Sequence, residues 1–253
     1  MRKSLLILSL LSLLAYAGCG KSDDPFKDFG PGPGGNAGGA APVATNATVK
    51  GKIVFDGAAP MPKKIPTTSD PGCKNSDLVT EDTVVSDGGL ENVIIYVSGG
   101  DIQGKTFPTS KEPKTLDQHG CHYVPHALTI QVGQPLKVVN SDDTAHNIHA
   151  WAVVNMPFNE SQASKGAETT KFFDKEEMLL PVKCDVHNWM NAFIGVFKHP
   201  FHTVSGKGGA YELKLPAGTY EITAEHEKLG SQKAMVTVMA DGSVDQNFTF
   251  KAK

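Results

Sequence analysis

From residue 49 onward the chain is a series of short runs in which apolar and polar positions mostly alternate. The runs are VKGKIVF (49–55), ENVIIYV (91–97), ALTIQV (127–132), PLKVVN (135–140), AFIGVF (192–197), AYELKL (210–215), TYEITAE (219–225), AMVTVM (234–239) and NFTFK (247–251). A period of two places the apolar side chains on one face of a strand, whereas a helix would need them three or four apart. The dipeptides DG, GG, GQ and AG between the runs are turn signals. Only 159–178 (NESQASKGAETTKFFDKEEM) departs from the pattern and reads as mixed helical or loop sequence. Many short strands at this spacing predict an all-β chain of one or two sandwiches or barrels.

Composition narrows the function classes. Of 253 residues, 40% are hydrophobic and 20% charged, enough to build a core. The net charge is −3 and no basic block occurs, which argues against nucleic-acid binding as the main task.

The N-terminus sets an expected compartment. Arg2 and Lys3 precede the 13-residue run LLILSLLSLLAYA, then Gly18-Cys19. A basic end, a short apolar run and small residues form a secretory signal, and a membrane span would need about 20 apolar residues. Tyr16-Ala17-Gly18-Cys19 resembles a bacterial lipobox, which implies cleavage before Cys19 and lipid attachment to its sulfur. An ordinary signal peptide is the alternative. In 20–46, 11 of 27 residues are Gly or Pro and few are bulky, so this stretch is expected to be a flexible tether. The expected location is the periplasm or cell surface, on a membrane-anchored lipoprotein.

The most informative chemistry lies in two segments. NSDDTAHNIHAW places His146 and Asn147 beside a strand end. Thirty-eight residues later, PVKCDVHNWM gives Cys184-x2-His187-x2-Met190 between two strand-like runs. Two imidazoles and a thiolate with a weak thioether are the donor set of blue-copper electron-transfer sites, and zinc sites rarely recruit Met.

VGQPLKVVNSDDTAHNIH followed by PVKCDVHNWM resembles the cupredoxin family, and the short ligand loop is similar to that of amicyanin. The resemblance covers about 114–198. It implies a Greek-key β-sandwich holding one type 1 copper, with His146, Cys184 and His187 in the trigonal plane and Met190 axial. It implies that Asn147 braces the ligand loop, and that the ring edge of His187 is an exposed electron port. Trp189, Met156 and Phe158 would form an apolar docking patch around that port. Two positions depart from the family pattern: Val186 and Ala145 stand where proline is common. His149 reads as a surface residue or a neighbour of the ligands. His119, His122 and His126, which share no spacing that forces convergence, read as structural or surface residues. His199 and His202 in KHPFH read as a polar turn. With Cys19 assigned to lipid and Cys184 to copper, Cys73 and Cys121 remain for a disulfide. A metal site formed by Cys121 and its neighbouring histidines is the other assignment.

The flanks, VKGKIVFDGAAPMPKKIP and GGAYELKLPAGTYEITAEHEKLG with MVTVMADGSVDQNFTF, resemble a carboxypeptidase-regulatory-like or transthyretin-like β-sandwich. The expected layout is a signal peptide (1–18), a linker (19–46), a discontinuous sandwich (47–112 and 200–253) and a cupredoxin unit (113–199). A plainer layout places a cupredoxin at 47–199 ahead of a C-terminal hairpin domain. The expected function is single-electron transport without enzymatic activity. A c-type cytochrome or exported oxidoreductase would be the transient partner. The alternatives are a cell-surface binding or structural module, and copper buffering or delivery.

Overall fold

A computed structural model describes residues 44–252 apart from residue 75; the expected signal peptide, the lipidation at Cys19 and most of the linker lie outside the described residues. The fold is all-β. Among the described residues the only helical turn is the 3-10 turn Lys207–Gly209.

One β-sandwich is built from the middle of the chain. Its first sheet runs in the order Phe158–Gln162, His146–Ala150, Glu177–Lys183, Asn191–Phe197 and Ala127–Gln131. Its second runs Glu168–Lys171, Leu136–Asn140, Lys114–Gln118 and Tyr123–Val124. The chain crosses from one sheet to the other between 131 and 136, 140 and 146, 162 and 168, and 171 and 177. Alternation decides what each strand contributes: Leu136, Val138 and Asn140 are buried while Lys137 and Val139 are not. Leu116, Leu136, Val138, Ile148, Leu180, Val182, Ile194 and Val196 fill the space between the sheets.

A second sandwich takes its strands from both ends of the described chain. Ala47–Asp56 is its hub. It pairs antiparallel with Ala210–Leu215 and with Gly89–Leu90, and parallel with Ser243–Asp245 and Phe248–Lys251. The facing sheet runs His202–Val204, Ile94–Gly100, Gly218–His226 and Gly230–Val238. Val49, Ile53, Ile95, Val97, Leu213, Ile222, Val236 and Phe250 lie in the core between them. A small third cluster of Ile94, Ala127 and Phe197 joins the two sandwiches.

Two sequence expectations are corrected here. Residues 159–178 are not helical: they contain all but the first residue of Phe158–Gln162, the whole of Glu168–Lys171 and the start of Glu177–Lys183. The first two are edge strands whose outer positions face water, so FNESQ and ETTK carry no apolar alternation. His199 lies in the bend 198–200, as expected of a turn, but the polar character read for His199 and His202 does not hold. His199 is buried, and His202 sits on a strand stacked on Phe197 at 4.8 Å.

Burial lowers the His202 imidazole to about 3, with the neighbouring His199 and Lys114 adding to the effect. The unfolded chain binds this proton near pH 6.5 and the folded chain does not. Stability is therefore lost as pH falls from 7 toward 3, by about 2 kcal/mol between pH 7 and pH 5. Urea unfolding at those two pH values should show that loss in the wild type and a clearly smaller one in His202→Phe. Equal losses in both would remove His202 as the cause.

Candidate metal centre

The end of strand Leu136–Asn140 shapes the turn that delivers His146. The buried Asn140 side chain donates to the carbonyls of Thr144 and Gln162 (2.9 Å each) and accepts the Asp142 amide at 2.9 Å. His146 then opens its strand, fully buried. Cys184 follows the strand Glu177–Lys183, and a short loop returns the chain to the strand beginning at Asn191. Two backbone bonds close this loop: the Cys184 amide donates to the Met190 carbonyl at 3.2 Å, and the Met190 amide to the His187 carbonyl at 2.9 Å. Asn147 ties the two segments together. Its Oδ1 accepts the Asp185 amide at 2.7 Å and the Cys184 thiol at 3.3 Å, and its Nδ2 donates to Asn159 at 2.7 Å.

His146, Cys184 and His187 are brought together, with one donor atom of each within 4.8 Å of the others. The Nδ1 atoms of the two rings face each other at 3.0 Å, and Cys184 Sγ lies 4.0 Å from His187 Nδ1. The His187 amide donates to Cys184 Sγ at 3.4 Å. Met190 is buried in the same core.

Two carboxylates set the chemistry of these rings. His146 Nε2 donates to Asp142 at 2.9 Å, and His187 Nε2 donates to Asp70 at 2.9 Å. A carboxylate only accepts, so each bond places a proton on Nε2 and turns Nδ1 toward the other ring. The hydrogen bond from His187, with the Gly72 amide and Thr144, keeps Asp70 below the usual carboxylate range. Burial would raise Asp142, but the Cys121 and Gly120 amides and His146 hold it low. Burial in turn keeps the His146 imidazole below its ordinary value, outweighing the pull of Asp142. Two buried imidazole nitrogens facing each other beside a thiol can supply lone pairs to a soft or borderline cation, and the donor types suit copper.

The expectation that His187 offers an exposed ring edge is not met: the residue is 2% exposed. The segment 70–73, which comes from outside the central sandwich, lies across it. Asp70 accepts the hydrogen bond from its Nε2, and Cys73 Sγ lies 3.6 Å from that nitrogen. A disulfide between Cys73 and Cys121 fixes this strap to the loop before Tyr123. The strap could not be read from local sequence, because Asp70 and His187 are 117 residues apart and no motif links them.

The other expected residues disperse. Trp189 stands beside His187 at 5.0 Å, and its indole donates to the Cys121 carbonyl at 3.0 Å. On its other side is a cavity of about 410 Å³ lined also by Leu78, Val79, His122, Phe193 and Glu227. Met156 is 84% exposed on a separate loop with Trp151, Val153 and Val154, at whose base Phe158 packs near Phe173. His149 stacks on Trp151 at 4.5 Å and pairs with Asp185 at 3.0 Å. His126 pairs with Glu227 at 2.8 Å, and none of His119, His122 and His126 joins a metal-binding group among the described residues.

No family model matches the sequence, and no curated protein is significantly similar to it. Parts of solved structures are similar. A copper-containing nitrite reductase (NirK) from Thermus scotoductus SA-01 matches at 20% identity over 40% of this chain, with a TM-score of 0.33. This chain spans only 27% of that enzyme. A purple cupredoxin from Nitrosopumilus maritimus matches at 22% identity over 32% of this chain and 97% of its own, with a TM-score of 0.29. A Cu(I) form of an amicyanin mutant matches at 18% identity over 35% of this chain and 85% of its own, with a TM-score of 0.31.

Proposed function

We propose that the protein is an exported, lipid-anchored electron carrier with one copper centre. The observation that carries this reading is the approach of His146 Nδ1 and His187 Nδ1 to 3.0 Å beside Cys184. His146, His187 and Cys184 would hold the metal, with Met190 from the same loop as the weak fourth donor. Copper held there supplies one-electron cycling between its two oxidation states.

The chain's own residues keep the site rigid and dry. Asp142 and Asp70 fix the ring tautomers, Asn147 fixes the loop, and the strap excludes water. A preorganised site that changes little between oxidation states suits electron transfer better than substrate binding, so we assign no enzymatic activity. With the His187 edge covered, electrons would leave on the opposite flank, from Cys184 through Asp185 and His149 to the half-exposed Trp151. The partner would be a c-type cytochrome or another exported oxidoreductase, met transiently.

Titrating the protein with Cu(II) and recording the visible spectrum tests the reading. The expected result is an intense thiolate-to-copper band that saturates at one equivalent. A folded protein that stays colourless would overturn it and favour a structural or binding module.

A further inference from the structure

The four residues assigned to the metal are all sealed: His146 is 0% exposed, Cys184 3%, His187 2% and Met190 1%. The seal on the His187 side is the strap, and the strap is locked by the Cys73–Cys121 disulfide. Around that disulfide lie two further donor triplets. Asp70, Cys73 and His187 place one ligand atom each within 4.8 Å of one another, and so do Cys121, Asp142 and His146. The disulfide bond joins the two triplets into one cluster. Each histidine ring borders both sides, with Nδ1 facing the other ring and Nε2 facing a carboxylate; His187 Nδ1 also lies 4.0 Å from Cys184 Sγ.

We propose that the dithiol form of the chain has a second, outer metal site made by Cys73 and Cys121 with Asp70 and Asp142. Through it a thiophilic cation reaches the inner set before the disulfide closes. The proposal rests on the copper reading of the inner set. Bonded to each other, the two sulfurs are poor ligands. As thiols, Cys73 would stand beside Asp70 and Cys121 beside Asp142, a mixed soft and hard set that takes Cu(I), Zn(II) or Cd(II). Binding releases the two thiol protons to solvent. The imidazole rings then form the wall between the outer and inner positions, so the cation crosses one ring edge to arrive among the Nδ1 atoms and Cys184. Closure is thiol–disulfide exchange with an external disulfide. Once the cation has moved inward the two sulfurs take two protons back from solvent; the external S–S bond then breaks, the Cys73–Cys121 bond forms, and two external thiols leave with those protons and the two electrons. The copper keeps its oxidation state in that step.

The outer site is tested in the full chain carrying Cys184→Ser, which removes the inner thiolate. The protein is reduced with a phosphine, desalted without oxygen and titrated with Cd(II), reading thiolate-to-cadmium ultraviolet absorption and dialysis stoichiometry. One Cd(II) per reduced chain and none per oxidised chain are expected. Adding Asp70→Asn and Asp142→Asn should weaken binding at least tenfold. No Cd(II) in the reduced chain, an unchanged affinity in the aspartate variant, or loss of near-ultraviolet circular dichroism on reduction would each overturn the proposal.

Loading order is tested with wild-type apoprotein and Cu(I). Uptake should be at least tenfold faster in the dithiol form than in the disulfide form, and equal rates would overturn the entry role. Failure of the inner reading has a different signature: neither wild-type form develops a copper–thiolate band on oxidation, while the reduced Cys184→Ser chain still binds Cd(II).

Discussion

Cys184→Ser is expected to abolish the thiolate-to-copper band and to weaken copper binding by at least a hundredfold, while the apoprotein keeps its fold. With Cys73 and Cys121 joined, Cys184 is the free cysteine among the described residues and is buried, so in the disulfide form no other described thiolate can replace it. Serine is slightly smaller and can still donate to Asn147 Oδ1, so the cost to the apoprotein should stay within about 1 kcal/mol. Visible titration and urea unfolding of the variant check the two halves separately. A variant that retained the band would place the copper away from the loop 184–190. A variant that failed to fold would make Cys184 a packing residue first. His146→Ala should behave alike in the spectrum but cost more stability, because it leaves the Asp142 carboxylate without its ring partner.

Glu177→Ala is expected to cost about 3 kcal/mol and to loosen the loop 151–157. Glu177 is buried at the start of its strand, and its carboxylate accepts the amides of Val153 (2.6 Å), Val154 (3.2 Å) and Asn155 (2.9 Å) as well as Asn155 Nδ2 at 2.9 Å. Burial would raise its carboxyl, yet these donors hold it below the ordinary value. The carboxylate's contribution is therefore present above the ordinary glutamate range and is lost as pH falls through its lowered value. Alanine removes the shared acceptor of four donors, whereas Glu177→Gln keeps one oxygen and should lose about half as much. Urea unfolding gives the energies, and limited proteolysis reports whether cleavage appears within 151–157. This loop exposes Val153 and Met156 at 90% and 84%, and the carboxylate, together with the bonds of Asn155 to Asp174 and Lys175, holds that apolar surface in place.

How much of this was legible in the sequence depends on the range over which the information acts. Val49 to Phe55 and Ala210 to Leu215 show their strands directly, because each alternates between a core and a solvent face. The residues around the candidate site were equally visible, since His146 and Cys184-x2-His187-x2-Met190 sit on two local segments that carry recognisable residue types. Edge strands such as Glu168–Lys171 were not, because a strand with water on its outer face needs no apolar period. The burial of His202 was hidden for a related reason: a short strand takes its environment from its neighbours, here Phe197 and Ile94 to Tyr96. The covering of His187 was the least accessible feature. The disulfide could be proposed by counting cysteines, but which side chain Asp70 would reach depends on contacts between segments 117 residues apart.

The hub strand Ala47–Asp56 has a mechanical consequence. It lies parallel to the last strands of the chain, with Thr48 beside Ser243 and Asp56 beside Lys251. A pull between the two ends of the chain would therefore slide these strands along one another instead of peeling them apart. In that shear geometry the rungs from Thr48 to Asp56 bear the load together rather than one at a time, and the flanking antiparallel partner Ala210–Leu215 braces the same strand. Anchored by one end and tugged by the other, this sandwich would behave as a clamp and not as a zipper.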